Sequence, residues 1–120
     1  MNDANIQYKD TESTSIILQK AKKIITEEIE KYGYKVESIY LFGSRARGDY
    51  QKDSDWDFFV VINKDLSKED WSRVELNIRT KLVYNNIISD IIIKSKAIYQ
   101  HQQNGTGFLS YYVNKEGISI

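Results

Sequence analysis

One pair of segments constrains this chain more than any other. Leu41-Phe42-Gly43-Ser44-Arg45-Ala46-Arg47-Gly48 ends an apolar run in a Gly-Ser pair and a loop with two arginines. Ten residues separate Ser44 from Asp55, where Asp55-Trp56-Asp57-Phe58-Phe59-Val60-Val61-Ile62 opens a second apolar run with two aspartates. Side chains alternate along a strand, so Asp55 and Asp57 share a face and Trp56 takes the other. Adjacent carboxylates repel, which is unfavourable unless a cation lies between them. Their oxygens suit Mg²⁺, which takes a few carboxylates plus phosphate oxygens rather than a full protein cage.

The Gly-Ser turn supplies the complementary half. Gly43 lacks a Cβ, so backbone amides there can approach an anion. A helical turn starting at Ser44 would aim amides and a hydroxyl at the same anion. Arg45 and Arg47 add positive charge; at least one is expected on a triphosphate or acceptor, the other on Asp49 or solvent. An anion cradle beside a metal-holding pair describes metal-assisted transfer from a nucleoside triphosphate. Singly, each of these residues also suits a loop with Asx turns at Asp53 and Asp55. The joint pattern, not any one residue, points to chemistry. Asp53 is expected to order the loop, and Tyr50 is an exposed loop tyrosine able to stack on a base. Trp56 and Phe58 belong to the core on the opposite face.

Gly43-Ser44, ten intervening residues and Asp55-x-Asp57 together resemble the signature of the DNA polymerase β-like nucleotidyltransferase superfamily. The fuller run from Gly43 to Asp57 is similar to its small single-domain branch, the minimal nucleotidyltransferases, and the match covers Tyr40 to Val61. The resemblance implies an α/β (α+β) nucleotidyltransferase fold, a small mixed twisted sheet with helices mainly on one side. It implies Mg²⁺-dependent transfer of a nucleoside monophosphate, AMP from ATP, with two Mg²⁺ ions held by Asp55 and Asp57. Gly43 and Ser44 would hold the triphosphate, with Arg45 or Arg47 assisting.

Asp90 interrupts the apolar run Ile87–Lys94. Pattern alone leaves it open between an edge aspartate that reaches water and a metal ligand, because a buried carboxylate is costly without a partner. The resemblance assigns it to the metal set, since such domains carry a third acid on the strand beside the Asp-x-Asp strand. It also makes Asp90 a candidate to activate the incoming hydroxyl. The usual partner in this branch is a small helical HEPN protein, an RNase-type toxin, to whose tyrosine the antitoxin transfers AMP. Alternatives are a small-molecule enzyme like the aminoglycoside nucleotidyltransferases, which carry a further helical domain, and a module that only masks a helical toxin.

The 120 residues suit one domain over 1–120, with residues 1–10 polar and flexible. Seventeen Lys and Arg balance seventeen Asp and Glu. That balance speaks against a domain living on nonspecific nucleic-acid binding. No apolar segment is long enough for a membrane helix, and the N-terminus lacks a signal-peptide pattern. With no cysteine either, the expectation is a cytoplasmic protein without a membrane partner. The single His101 lies in a polar stretch and reads as solvated.

Hydrophobic spacing predicts a helix from Ser13 or Thr14 to Tyr32, with Ile17, Ala21, Ile24, Ile25 and Ile29 inward. Glu27, Glu28 and Glu30 fall on its polar side, and Lys20, Lys22, Lys23 and Lys31 read as a solvated face. Strands follow at Val36–Phe42, Asp55–Ile62 and Ile87–Lys94, the second buried on both faces. Ser67 and Asp70 read as a cap opening a helix to Tyr84, with Trp71, Val74, Ile78 and Leu82 inward. Ser95–Glu116 reads as two helices split at Gly105-Thr106-Gly107. A short C-terminal strand completes the chain.

Overall fold

The second apolar run becomes the central strand that its composition implies. We describe residues 12–120 in a computed structural model; the expected flexible segment 1–10 lies outside them. Four strands form one mixed sheet: β1 (Val36–Phe42), β2 (Trp56–Ile62), β3 (Ser89–Ser95) and β4 (Ile118–Ser119). Their spatial order is β3-β2-β1-β4. β1 runs antiparallel to both β2 and β4, and β2 runs parallel to β3. The parallel pair needs a crossover, which the helix α3 (Lys68–Tyr84) provides.

Each face of β2 meets a different helix layer. Trp56, Phe58, Val60 and Ile62 pack with Leu18, Ala21, Ile25 and Ile29 of α1 (Glu12–Glu30) and with Val74, Ile78 and Leu82 of α3. Phe59 and Val61 face the other way, onto Tyr99 of α4 (Lys96–Gln102) and Val113 of α5 (Leu109–Glu116). The two long helices thus share one side, and two short ones cover part of the other. Burying a Phe or Ile side chain fully contributes about 1.5–3 kcal/mol, and Phe58, Phe59, Ile25 and Ile78 are all fully buried.

The predicted boundaries hold closely. Gly33, at φ +86°, follows α1 in the left-handed region where glycine is unstrained. Ser67 caps α3, its hydroxyl accepting from the Asp70 amide at 3.1 Å. Two expectations fail. Glu28 is buried, not solvated, because Lys81 of α3 and Lys31 both reach its carboxylate. Trp71 is 49% exposed. It has the helical phase of the inward stripe but stands one turn ahead of Val74, on an open groove that it lines with Ile62 and Ile93 of the sheet. Among the described residues, no helix is long and apolar enough to cross a membrane.

Candidate active site

Sheet register brings the predicted residues to one end of the molecule. Phe42 pairs with Asp57, so Gly43 leaves β1 directly beside the start of β2. Asp57 in turn pairs with Asp90 across the parallel ladder. Residues paired in register point to the same face, so Asp57 and Asp90 lie side by side, with Asp55 two residues back in the same phase. Phe59 and Ile92, next on that face, close the apolar floor behind them.

Gly43 has a reason beyond approach to an anion. Its φ of 75° and ψ of −158° fall in a region that only glycine uses readily. A Cβ there would collide with Asp57 Oδ2 and stand 3.1 Å from its Cγ. The bare backbone of the turn is thus the space into which the Asp57 carboxylate fits. The chain then winds one helical turn, α2 (Ser44–Arg47), closed by a bond from the Gly48 amide to Ser44 O at 2.9 Å. The first amides of any helix lack partners within it, and here they begin at Ser44, next to the acids.

The electrostatics are those of an acid crowded by acids. Burial, then the charges of Asp90 and Asp55, hold the Asp57 carboxyl above its ordinary value of 3.8, and Arg47 pulls it partly back. Asp90 is exposed, its side chain 65% accessible, with Arg79 of α3 at 3.9 Å. It reaches water from the edge strand, so its position in an apolar run carries no burial cost. Among the described residues, no three acidic, histidine or cysteine groups stand close enough to form a ready metal cage. Two hard carboxylates that raise the pKa of a third are nonetheless the donor set that a divalent cation would stabilise, and they fit Mg²⁺.

The two arginines separate in role. Arg45 turns away from the acids into the 48–55 loop. Its guanidinium donates to Ser54 O at 2.9 Å and Lys52 O at 3.2 Å. It lies between the rings of Tyr50 and Trp56, 4.5 and 4.4 Å from their centroids. Tyr50, a candidate for base stacking, is thus occupied by Arg45. Among the described residues, Arg47 makes only an exposed pair with Asp49 at 3.3 Å, a contact worth little in water, and it is the arginine whose charge Asp57 feels. The loop turn is closed by Ser54, whose hydroxyl accepts from the Gln51 amide at 2.8 Å.

Sequence reasoning missed the wall beside the turn. A cavity of about 250 Å³ opens between Phe42, Gly43, Ala46 and Arg47 on one side and Leu109, Tyr112 and Glu116 of α5 on the other. Leu109 and Tyr112 are 41% and 47% exposed. The signal in the sequence is the i, i+3 spacing of Leu109 and Tyr112, which puts both on one helix face; that this face is open is a finding of the structure.

The chain is similar to known proteins. The family described as "Polymerase beta, Nucleotidyltransferase" matches residues 19–120. Relatives come from Methanocaldococcus jannaschii. "Putative protein adenylyltransferase MJ0141" is 34% identical over 79 residues, covering 65% of this chain and 77% of its own length. A second of that description, MJ1215, is 38% identical over 78 residues, covering 60% of this chain and 85% of its own.

Proposed function

This chain belongs to the polymerase β-type nucleotidyltransferase family and is a nucleotidyltransferase, and from that membership we propose that it transfers AMP from ATP to a hydroxyl of another protein. The relatives' description as protein adenylyltransferases supports a protein as acceptor. The acceptor group is a tyrosine hydroxyl of a small helical HEPN-type toxin, and the modification makes this chain its antitoxin, as the sequence resemblance implies. The observation that carries the catalytic reading is the fit of the Asp57 carboxylate against a glycine-only turn, in register with Asp90.

The residues divide the work. Ser44 and the first amides of α2 bind the polyphosphate, and Arg47 swings from Asp49 to meet it. The nucleoside lies in the cavity against Leu109 and Tyr112. Asp55 and Asp57, with Asp90, hold Mg²⁺, which when bound neutralises charge on the triphosphate. The acceptor oxygen bonds to the α-phosphorus as the bond to the bridging oxygen breaks, and pyrophosphate leaves with the electron pair. The hydroxyl proton passes to Asp90, an exposed carboxylate at the edge of the site. Arg45 touches none of these groups and acts by fixing the loop that leads into β2.

The test is mass analysis of the purified partner after incubation with this protein, ATP and Mg²⁺. A mass gain of one adenylyl group on a tyrosine is expected, absent with Asp57→Asn. An unmodified partner that is still inactivated would overturn the catalytic reading in favour of masking.

A further inference from the structure

The strand that carries Asp90 is the end strand of the sheet among the described residues, and its sequence is symmetric in polarity. It reads Ser89-Asp90-Ile91-Ile92-Ile93-Lys94-Ser95. About Ile92, serine mirrors serine, isoleucine mirrors isoleucine, and an acid mirrors a base. We propose that two copies of this chain pair antiparallel through the outer edge of β3, centred on Ile92, so that each Asp90 faces the partner's Lys94.

The hydrogen-bond phase agrees with that centre. The Trp56 amide donates to Ile88 O at 2.9 Å, so Ile88 turns its main chain toward β2. Main-chain direction alternates along a strand, so Asp90, Ile92 and Lys94 do the same, and Ser89, Ile91, Ile93 and Ser95 present their amides and carbonyls outward. A two-fold axis at Ile92 sets Ile91 against the partner's Ile93, and Ser89 against the partner's Ser95, with both groups of each residue satisfied. Asp90 and the partner's Lys94 then fall in a non-hydrogen-bonded pair, where opposing side chains approach most closely. A centre on Ile91 would instead set Asp90 against an isoleucine, and a centre on Ile93 would do the same to Lys94. Only the Ile92 centre matches both charges within the strand.

The edge lacks most of the usual protection. Natural sheets blunt exposed edges with proline, bulges, short strands or charges; of these β3 carries only the charges Asp90 and Lys94, which the antiparallel match turns into pairs. Here β3 pairs with β2 over seven residues without interruption, and the chain has no proline. Exposed apolar side chains flank it: Ile88, 55% accessible, before its start, and Trp71 at the groove beside its end. Pairing reaches the site as well. It closes the open side of the acidic end and places a cation from the second copy beside Asp90. One Asp90 oxygen can face that cation while the other faces Asp57.

The test uses the full chain without nucleotide, followed by sedimentation equilibrium over a micromolar concentration series. A concentration-dependent dimer is expected. Lys94→Asp sets like charges opposite each other twice per dimer and should weaken association about tenfold or more. Adding Asp90→Lys to it restores the opposite pairing and should return the affinity to within about threefold of the parent. Ile92→Cys gives a chain with one thiol, at a position where paired Cα atoms stand roughly 4.5 Å apart, within disulfide reach. It should cross-link under mild oxidation far faster than Ser72→Cys. A monomer throughout, a dimer indifferent to Lys94→Asp, or a charge swap that fails to restore pairing would each overturn the proposal.

Discussion

Glu28 and Asp57 are both carboxylates taken partly or wholly out of water, and the protein treats them in opposite ways. Glu28 lies in the seam between α1 and α3. Burial pushes its carboxyl up, but Lys31 at 2.8 Å and Lys81 more than offset that and leave it below its ordinary value of 4.5. Asp57 meets burial too, but its nearest charged neighbours are Asp90 and Asp55, so its carboxyl stays above 3.8. A hidden acid is therefore not by itself a mark of function. An acid surrounded by acids is, because the fold leaves a repulsion that only a bound cation removes.

The sharpest way to break this comparison is Asp57→Asn. It keeps the shape against Gly43 and removes the charge. Nucleotidyl transfer should fall by about a thousandfold or more, the loss usual for a principal electrostatic group. Stability should move the other way. With a folded pKa above the unfolded one, Asp57 contributes stability below about pH 3.8 and loses it as pH rises through its raised value. At neutral pH without metal, Asp57→Asn should melt higher than the parent, and Mg²⁺ should raise the parent's Tm more than the variant's. A variant that melts lower, together with a parent that ignores Mg²⁺, would show that Asp57 is as well compensated as Glu28.

Gly43→Ala attacks the same spot through sterics. The methyl needs the place of the Asp57 carboxylate and a φ that alanine avoids. We expect a loss of about 1–3 kcal/mol in stability and roughly a hundredfold in activity as the carboxylate is displaced. Urea unfolding and turnover measured together check both.

Glu28→Ala should do the reverse: destabilise without touching turnover per folded molecule. Lys31 and Lys81 are 57% and 48% exposed and can turn to water. The cost should then be about 1–2 kcal/mol, less than for an enclosed pair. The pH dependence also has the opposite sign from that of Asp57. A depressed pKa contributes stability above the unfolded value and loses it as pH falls through the folded one. The difference in Tm between parent and variant should therefore shrink on acidification below about pH 4.5.

These two acids were not equally legible in the sequence. Asp57 lies on β2 and Asp55 one residue before it, where a period of two assigns both to one face. Asp90 is legible only through the family resemblance, because its pattern alone leaves it open and its register against Asp57 depends on a crossover that runs through α3. The turn at Gly43 was legible too, although its closest contact proved to be Asp57. Glu28 was misread because helical phase places it on the polar side, and the partner that draws it inward lies 53 residues away on α3. Trp71 has the right phase but borders an open groove with Ile62 and Ile93. Sequence pattern carries angle around a helix but not how far the neighbouring elements enclose it.

Arg45 shows the same limit at smaller scale, and it supports the gentlest test. Its charge and its place after Gly-Ser suggested phosphate, yet nothing local in the sequence announces that Tyr50 and Trp56 will close on it from both sides. Arg45→Lys keeps the charge and loses the planar fork that reaches Ser54 O and Lys52 O together. If Arg45 positions the loop, the change should cost about 1 kcal/mol, speed limited proteolysis between residues 48 and 54, and leave the KM for ATP within about threefold. If it meets the triphosphate instead, KM should rise and the loop should stay resistant. Those outcomes are opposite, so one variant decides whether Arg45 serves the loop or the nucleotide.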